Sequence, residues 1–192
     1  MYKKFFKWII DLISAILLLP ALLLLSALIA IPQLILYRRI FFFQQRPGKD
    51  EQLFWLIKFQ TMHDGEGTDE ERVTSLGNML RKTALDELPQ IINILKGDMS
   101  FIGPRPLLIE YLPLYSSNHR HRHDVKPGIT GLSQVHGPSL VSWTEKLDMD
   151  VQYTEMISWS TDWQIVLKTV SLLIKGAGQS KEQLHERFRG YE

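Results

Sequence analysis

The 192-residue chain contains no cysteine, and its formal net charge at pH 7 is only +1. Without cysteine, neither a disulfide scaffold nor a thiolate metal site can form, which suits a reducing compartment. A net charge so close to zero gives no reason to expect nucleic acid as a partner. The sequence also lacks the Walker A, Rossmann, H-E-x-x-H and G-x-S-x-G motifs, which excludes most of the common enzyme classes that these motifs mark.

Charged residues are nearly missing from the N-terminal segment, where the side chains between Ile9 and Leu36 are almost all aliphatic. The stretch Leu12–Ala30 alone would cover about 28 Å as a helix, close to the thickness of a bilayer core. A re-entrant membrane helix and a plain membrane span both fit this segment. A cleaved signal peptide fits less well, since only Ser26–Ala30 imitates a cleavage site. A buried helix of a soluble protein is the remaining alternative.

Both flanks of the apolar segment are basic, because lysines precede it and Arg38 and Arg39 follow it. Under the positive-inside rule, two basic ends favour a hairpin that enters and leaves on the cytoplasmic face. Pro20, near the middle, removes a backbone donor and favours a bend there. The sequence therefore predicts a re-entrant helix bent at Pro20.

Beyond Arg38 the sequence predicts one folded unit without repeats or low-complexity tracts. Phe41–Phe43 and Gln52–Phe59 are rich in aromatic and aliphatic residues and flank a turn-forming stretch, so they predict a short hairpin. The polar stretch His63–Glu71 is predicted to be a loop. The predicted helices are Ser75–Arg81, Asp86–Lys96 with Gly97 as its left-handed end, Trp143–Ile157 and Asp162–Lys175.

The run His119–His123 alternates histidine with arginine. Histidines suggest a metal, but the interleaved arginines repel a cation, and a spacing of two suits no helical face. We interpret the run as a basic surface turn near acidic lipid or phosphate.

Two adjacent carboxylates, Asp86 and Glu87, stand in the stretch TALDELPQ at residues 83–90. One interpretation is structural, because carboxylates at a helix start cap free N–H groups and suit the helix dipole. The other is chemical, because the same helix start binds phosphate oxygens. The sequence of this stretch alone leaves both interpretations open.

Basic residues lie near this pair in sequence, and Gly103-Pro104-Arg105-Pro106 holds one of them between two prolines. The prolines fix the backbone and present the planar donor fork of Arg105, which suits phosphate. The other cations are Lys58, Arg81 and Lys82. With a membrane segment, they suggest phosphate chemistry on a lipid, in which one carboxylate attacks phosphorus and the second holds Mg²⁺.

The stretches LRKTALDELPQ at 80–90 and NILKGDMSFIGPRP at 93–106 resemble the signature of the bacterial sugar transferases. These are the monotopic polyprenyl-phosphate phosphoglycosyl transferases. Further similar stretches are QRPG at 45–48, KFQTM at 58–62, KPGITGLSQV at 126–135 and Asp162. The resemblance covers nearly the whole chain, whose length is similar to that of the minimal members carrying only the catalytic core.

The resemblance implies an α+β, mainly helical fold with two parts. Residues 1–38 would form a re-entrant membrane helix-turn-helix bent at Pro20. Residues 39–192 would form a cytosolic catalytic domain with amphipathic interfacial helices and a short β-hairpin. The implied location is the cytoplasmic face of the inner membrane.

The resemblance also implies a reaction: Asp86 attacks the β-phosphate of a UDP-sugar, UMP leaves, and undecaprenyl phosphate then removes the phosphosugar from the enzyme. This would be the first membrane step of glycan assembly, upstream of further glycosyltransferases. Glu87 would bind Mg²⁺. The implied substrate-binding residues are Arg46, Lys58, Arg81 and Arg105, with Asp162 in a supporting position.

Three positions depart from the family pattern. Gln60 stands where arginine is frequent, His136-Gly137-Pro138 stands where Asn-Gly-Arg is common, and Leu19 replaces a serine before the bending proline. Two alternatives belong to other functional classes: a non-catalytic membrane scaffold of a glycan-assembly complex, and a soluble nucleotide-binding enzyme with a cleaved leader. The sequence identifies neither the sugar nor the oligomeric state, and a homodimer stays open.

Overall fold

The computed structural model describes residues 1–136, 142–175, 188 and 190. A π-helical turn, Tyr2–Phe6, leads into helix α1, Lys7–Tyr37. The strands are β1 (Phe41–Pro47), β2 (Leu53–Phe59), β3 (Ser100–Ile102) and β4 (Gly128–Thr130). The other helices are α2 (Asp69–Arg72), α3 (Ser75–Lys82), α4 (Gln90–Lys96), α5 (Ser117–Arg120), α6 (Leu132–Val135), α7 (Trp143–Met156) and α8 (Trp159–Ile174). Short 3₁₀ turns cover Lys49–Glu51, Leu85–Glu87, Ile109–Leu114 and His121–His123.

Helix α1 is one continuous helix of 31 residues, although Pro20 and Pro32 lie inside it. The predicted helix-turn-helix is therefore corrected, because no turn divides the helix at Pro20. A proline removes one backbone hydrogen bond, which the bonds on either side can outweigh. By length and composition, α1 is the one helix in the described part of the chain that could cross a membrane. Its re-entrant course stays a prediction.

The buried residues of α1 recur every four or seven positions, so they form one stripe along the helix. They are Asp11, Ala15, Leu22, Ile29, Gln33 and Tyr37. The three aliphatic members belong to the main core, while much of the remaining surface exposes large apolar side chains. Helix α1 thus packs along the domain through one stripe and leaves its other faces uncovered.

Both ends of α1 are fastened to the same folded unit. At the N-terminal end, Lys7 Nζ lies 2.9 Å from Asp162 Oδ2 at the start of α8. At the C-terminal end, the Tyr37 hydroxyl shares a hydrogen bond with Thr74, which caps α3. This arrangement agrees with basic flanks that lie on one side of a membrane.

Strands β1 and β2 form the predicted hairpin, with Phe41 opposite Phe59 and Pro47 opposite Leu53. Strand β1 is longer than predicted and carries Arg46 near its end. The main core lies where the hairpin, α1, α3 and α4 meet. Its buried members outside α1 are Phe54, Leu56, Phe59, Leu80, Ile91, Ile94 and Met99.

Strands β3 and β4 pair in parallel and bring their flanking loops into contact. The approach is so close that a Cβ on Gly103 would lie 2.4 Å from the Lys126 carbonyl oxygen. A Cβ on Gly128 would lie 2.1 Å from the Gly103 nitrogen. Any larger residue at either position must therefore separate the strands, and this contact fixes the loop that carries Arg105.

Helix α8 begins at Trp159, earlier than predicted, after the Ser158 side chain accepts a hydrogen bond from the Thr161 N–H. One stripe of the helix exposes large apolar residues at intervals of three or four: Trp159, Trp163, Leu167, Val170 and Ile174. An exposed apolar stripe on a helix is typical of a membrane-surface helix. The α+β, mainly helical fold class is confirmed, and the membrane contact of α8 stays a prediction.

Candidate active site

The Asp86–Glu87 pair lies in a tight connection between α3 and α4. Ala84 has the left-handed values φ 53° and ψ 17°, and the 3₁₀ turn Leu85–Glu87 follows it. The predicted helix start at Asp86 is therefore wrong, since α4 begins at Gln90 and Pro89 occupies its N-cap. A left-handed non-glycine residue is strained and persists where the surroundings hold it. The connection thus holds both carboxylates in one defined position.

Glu87 is neutralised by two cations from different parts of the fold. Its side chain is almost fully buried, and Oε1 accepts a hydrogen bond from Lys58 Nζ of β2 at 2.6 Å. Arg105 Nη1, in the loop after β3, lies 3.3 Å from the same oxygen. Glu87 therefore links the hairpin to the Arg105 loop.

Asp86 is also buried, with 4% of its surface exposed, but its hydrogen bonding differs from that of Glu87. Among the described residues, its Oδ1 has no hydrogen-bond partner. Burial raises the pKa of this carboxyl from 3.8 to about 6, Glu87 adds to the rise, and Lys58, Arg105 and Arg81 oppose it. A buried carboxylate with a free oxygen and a raised pKa is ionised at neutral pH and poorly solvated, which suits a nucleophile.

Arg81 approaches the pair from α3. Its Nε donates to Thr61 Oγ1 at 2.9 Å, just beyond β2. Helix α3 can come this near because of Gly77, where a Cβ would lie 1.9 Å from the Thr61 carbonyl oxygen. The missing side chain of Gly77 thus allows α3 to approach Thr61, and this approach places Arg81 near the carboxylates.

Arg46 reaches the site from the end of β1. Its Nη2 donates to Gln44 Oε1 at 2.6 Å, and its Nη1 donates to the Pro106 carbonyl oxygen at 3.3 Å. Burial lowers the pKa of Arg46 to about 10, and Arg105 contributes to the lowering. The guanidinium therefore stays charged at neutral pH, close to the loop that holds Arg105.

A cleft of about 510 Å³ brings these groups together, and it is lined by Arg46, Lys58, Arg81, Asp86 and Arg105. Tyr111 and Trp143 line it too, as apolar surface beside the charged groups. Gln60, the first departure from the family pattern, also lines the cleft and donates from Nε2 to the Met62 carbonyl oxygen. Gly137 and Pro138, in the second departure, lie outside the described residues.

Asp162 is the one proposed substrate-binding residue that does not line the cleft. Its carboxylate pairs with Lys7 and accepts hydrogen bonds at 2.7 Å from the hydroxyls of Tyr2 and Tyr153. Three donors therefore surround it at the contact between α1 and α8. Asp162 thus fastens the N-terminal helix, and its expected supporting role near substrate stays a prediction.

The histidine–arginine run is a surface turn only at Arg120 and His121, which corrects our interpretation of the whole run as surface. His119, Arg122 and His123 are all buried. Arg122 Nη2 donates at 2.6 Å both to Asp150 Oδ2 and to the backbone oxygen of Arg105. His123 Nδ1 lies 3.0 Å from the Gly48 carbonyl oxygen, which accepts its hydrogen. Two neighbouring residues of the run, Arg122 and His123, thus hold two loops. Arg122 holds the loop that contains Arg105, and His123 holds the loop that follows Arg46.

The Mg²⁺ that was expected at Glu87 stays a prediction. Across the described ranges, no group of three or more His, Cys, Asp or Glu residues is placed to hold a metal. Mg²⁺, however, is usually held by one or two carboxylates and completed by substrate phosphates and water. Glu87 is the predicted ligand, and its Oε1 already accepts a hydrogen bond from Lys58 and lies 3.3 Å from Arg105 Nη1.

Comparison with known proteins gives a consistent result. The model of the family described as "Bacterial sugar transferase" matches residues 2–176. The chain is 45% identical to the uncharacterized sugar transferase EpsL of Bacillus subtilis (strain 168), over 79% of each chain. It is 36% identical to the galactosyl transferase CpsE of Streptococcus agalactiae serotype III (strain NEM316), over 71% of this chain and 35% of CpsE.

A third similar protein is the UDP-glucose:undecaprenyl-phosphate glucose-1-phosphate transferase of Xanthomonas campestris pv. campestris. The identity is 37%, over 68% of this chain and 30% of the relative. The chain thus spans most of EpsL but about a third of the other two proteins.

Proposed function

The chain belongs to the bacterial sugar transferase family, and we propose that it transfers a sugar 1-phosphate from a UDP-sugar to undecaprenyl phosphate, releasing UMP. Two similar proteins carry the name UDP-glucose:undecaprenyl-phosphate glucose-1-phosphate transferase, and another is named UDP-galactose-lipid carrier transferase. The observation that carries the proposal is the free, buried oxygen of Asp86 in a cleft lined by six cationic residues.

In the first step, a carboxylate oxygen of Asp86 attacks the β-phosphorus of the UDP-sugar. The bond from that phosphorus to the oxygen bridging the two phosphates breaks, and its electron pair leaves with UMP. The phosphosugar remains on Asp86 as an acyl phosphate. Because the pKa of Asp86 is raised to about 6, the attacking oxygen is ionised at neutral pH yet more basic than that of an ordinary aspartate.

The cations around Asp86 stabilise the charge that develops on the phosphates. Arg81 and Arg105 present planar donor forks that suit phosphate oxygens, and Lys58 supplies a point charge. Glu87 holds Lys58 and Arg105 beside Asp86 through its Oε1. These groups are positioned before substrate binds, so they need little rearrangement during the reaction.

In the second step, an oxygen of undecaprenyl phosphate attacks the same phosphorus. The bond from phosphorus to Asp86 breaks, its electron pair returns to the carboxylate, and a sugar diphosphate lipid is released. Asp86 is thereby regenerated without a net proton transfer. Glu87 would hold Mg²⁺, which would supply charge neutralisation for the departing UMP.

We place the reaction on the cytoplasmic face of the inner membrane. The support is the pair of basic flanks around α1, together with the exposed apolar surfaces of α1 and α8. Tags fused to the two ends should both be accessible from the cytoplasm. Labelling of an N-terminal tag from the periplasm would contradict a re-entrant course.

The test of the mechanism mixes purified protein with a panel of UDP-sugars without lipid. With the right sugar, about one equivalent of UMP should be released, and intact mass should increase by one phosphosugar on the peptide containing residues 83–90. Asp86→Asn should abolish both signals. The matched control is Asp50→Asn, an exposed aspartate in the β1–β2 turn, which should retain both.

Other outcomes point to other functions. If UMP appears only when lipid phosphate is added, or if Asp86→Asn still carries the phosphosugar, Asp86 is better explained as a general base for direct attack by the lipid. Absence of UMP with every UDP-sugar, with and without lipid, would support the non-catalytic scaffold.

A further inference from the structure

A second cavity, of about 550 Å³, lies at the N-terminal end of α1 and shares no lining residue with the cleft. Four lysines from separate segments line it, and we call it the lysine cavity. They are Lys3 and Lys7 around the start of α1, Lys49 in the β1–β2 turn, and Lys126 before β4. Its carboxylates are Asp11 and Asp124, so its formal charge is positive.

The carboxylates of the lysine cavity already have partners. Asp11 Oδ1 accepts a hydrogen bond from the Phe101 N–H at 3.2 Å, and Asp124 Oδ2 lies 3.0 Å from His121 Nδ1. Neither carboxylate is paired with a lysine from the turn or from the loop before β4. Lys7 is paired with Asp162, so Lys3, Lys49 and Lys126 stand against the two acids and a small excess of positive charge remains.

Two of the four lysines are available to a ligand. The nearest carboxylate oxygen to Lys49 Nζ belongs to Asp50 and is 3.8 Å away, which makes a weak, exposed pair. Lys126 makes no hydrogen bond or ion pair with any residue that the structure describes. Two cations in one cavity that lack a close carboxylate partner favour an anionic ligand.

The lysine cavity lies beside apolar surface that suits lipid. Trp8 lines it while 51% of its own surface stays exposed, and Ile157 lines it from the end of α7. Trp8 also stands at the start of the long apolar helix. Tryptophan is enriched where hydrocarbon meets headgroups, and lysine clusters next to a membrane helix attract anionic headgroups.

We propose that the lysine cavity binds the phosphate headgroup of an anionic phospholipid. Lys49 and Lys126 donate to the phosphate oxygens, and the acyl chains follow Trp8 and the exposed apolar surface of α1. This site is separate from that of the acceptor lipid, which must reach Asp86 in the cleft. The proposal does not rest on sugar transfer.

Binding is tested on the purified full chain in detergent, by native mass spectrometry. The ligands are short-chain phosphatidylglycerol, phosphatidylcholine with the same chains, and glycerol 3-phosphate, which offers the phosphate without the lipid. We expect one saturable phosphatidylglycerol site. A lysine near anionic lipid contributes about fivefold, so Lys49→Gln with Lys126→Gln should weaken binding about 25-fold.

One control variant and one single variant accompany the double variant. Lys82→Gln removes an exposed lysine at the end of α3, far in sequence from every lining segment, and should not change binding. Lys126→Gln alone removes a side chain without polar contacts, so it should fold normally and weaken binding about fivefold. An unchanged melting temperature in phosphatidylcholine confirms that each variant is folded.

Three results would overturn the proposal. The first is equal binding of phosphatidylcholine and phosphatidylglycerol, because the site would not select negative charge. The second is unchanged phosphatidylglycerol binding in the folded double variant or in Lys126→Gln. The third is equally tight binding of glycerol 3-phosphate, which would assign the cavity to a soluble phosphate compound.

Discussion

Replacing Asp86 with asparagine should make the protein more stable at neutral pH while it removes the proposed nucleophile. Burial is the main reason that the pKa of Asp86 is raised from 3.8 to about 6. At ~1.4 kcal/mol for each tenfold change in the acid dissociation constant, ionised Asp86 costs the folded state ~3 kcal/mol. Asparagine keeps the shape of the side chain and carries no charge, so most of this cost should disappear.

The gain should depend on pH, and its sign follows from the two pKa values. The folded pKa lies above the unfolded one, so wild-type protein is relatively stabilised while Asp86 is protonated and loses that stability as pH rises to about 6. The advantage of Asp86→Asn should be near zero below about pH 4 and complete above about pH 6. For a chain of this size, ~3 kcal/mol corresponds to about 6–12 °C in melting temperature.

The assay compares melting temperatures of wild type and Asp86→Asn in one detergent between pH 4.5 and pH 8. Asp50→Asn, in the exposed turn, should show no such pH-dependent gain. A lower melting temperature of Asp86→Asn at pH 7.5 would refute the reasoning, because the carboxylate would then be stabilised by Lys58, Arg81 and Arg105. An equal gain at pH 4.5 and pH 7.5 would also refute it, since the gain would not come from ionisation.

Four further results are expected. Phosphosugar transfer to Asp86 in a single turnover should speed up as pH rises through about 6 and then level off, because the ionised form attacks; a rate independent of pH would contradict this. Arg105→Lys should lower turnover at least tenfold, since a point charge cannot replace a two-pronged contact, and near-normal turnover would make the loop purely structural. Glu87→Gln should raise the Mg²⁺ concentration needed for half-maximal rate, which a metal titration measures. Gln33→Met should raise the unfolding free energy by ~1 kcal/mol in a denaturant titration, because the buried Gln33 amide has no hydrogen-bond partner among the described residues.

The elements that sequence could predict are those whose signals are local. The hairpin follows from two apolar runs around a turn-forming stretch, and β1 and β2 form it as expected. Helices α3 and α7 lie close to their predicted bounds, and Gly97 ends α4 with φ 88°. In each case the residues that determine the structure are neighbours in sequence.

The local structure around Asp86 could not be predicted in the same way. A serine, threonine or acid before an apolar run normally marks a helix start, which is why Asp86 was expected at the N-cap. The left-handed conformation of Ala84 carries no sequence signal, because alanine favours helix and glycine is the usual residue at positive φ. The surroundings that hold Ala84 in this conformation are the packing of α3 against the end of β2.

The histidine–arginine run shows most directly what sequence cannot reveal. Five polar residues in a row look like surface, because arginine is almost never fully buried unless it is paired. The partner of Arg122 is Asp150, 28 positions away in the sequence, and nothing local connects them. Asp150 Oδ1 also accepts a hydrogen bond from Ser133, so this buried charge pair is joined to a third element.

The Arg122–Asp150 ion pair is better explained by the loops that it positions than by the stability that it adds. Burying both charges has a desolvation cost that can cancel the attraction, so Arg122 and Asp150 add little net stability. Arg122, however, also binds the backbone of Arg105, and the neighbouring His123 binds the backbone of Gly48, two residues after Arg46. The loop that follows Arg46 and the loop that contains Arg105 are therefore held by consecutive residues of one short turn. Because phosphate recognition by two planar guanidinium groups depends on their relative placement, holding both loops from one turn keeps that placement constant.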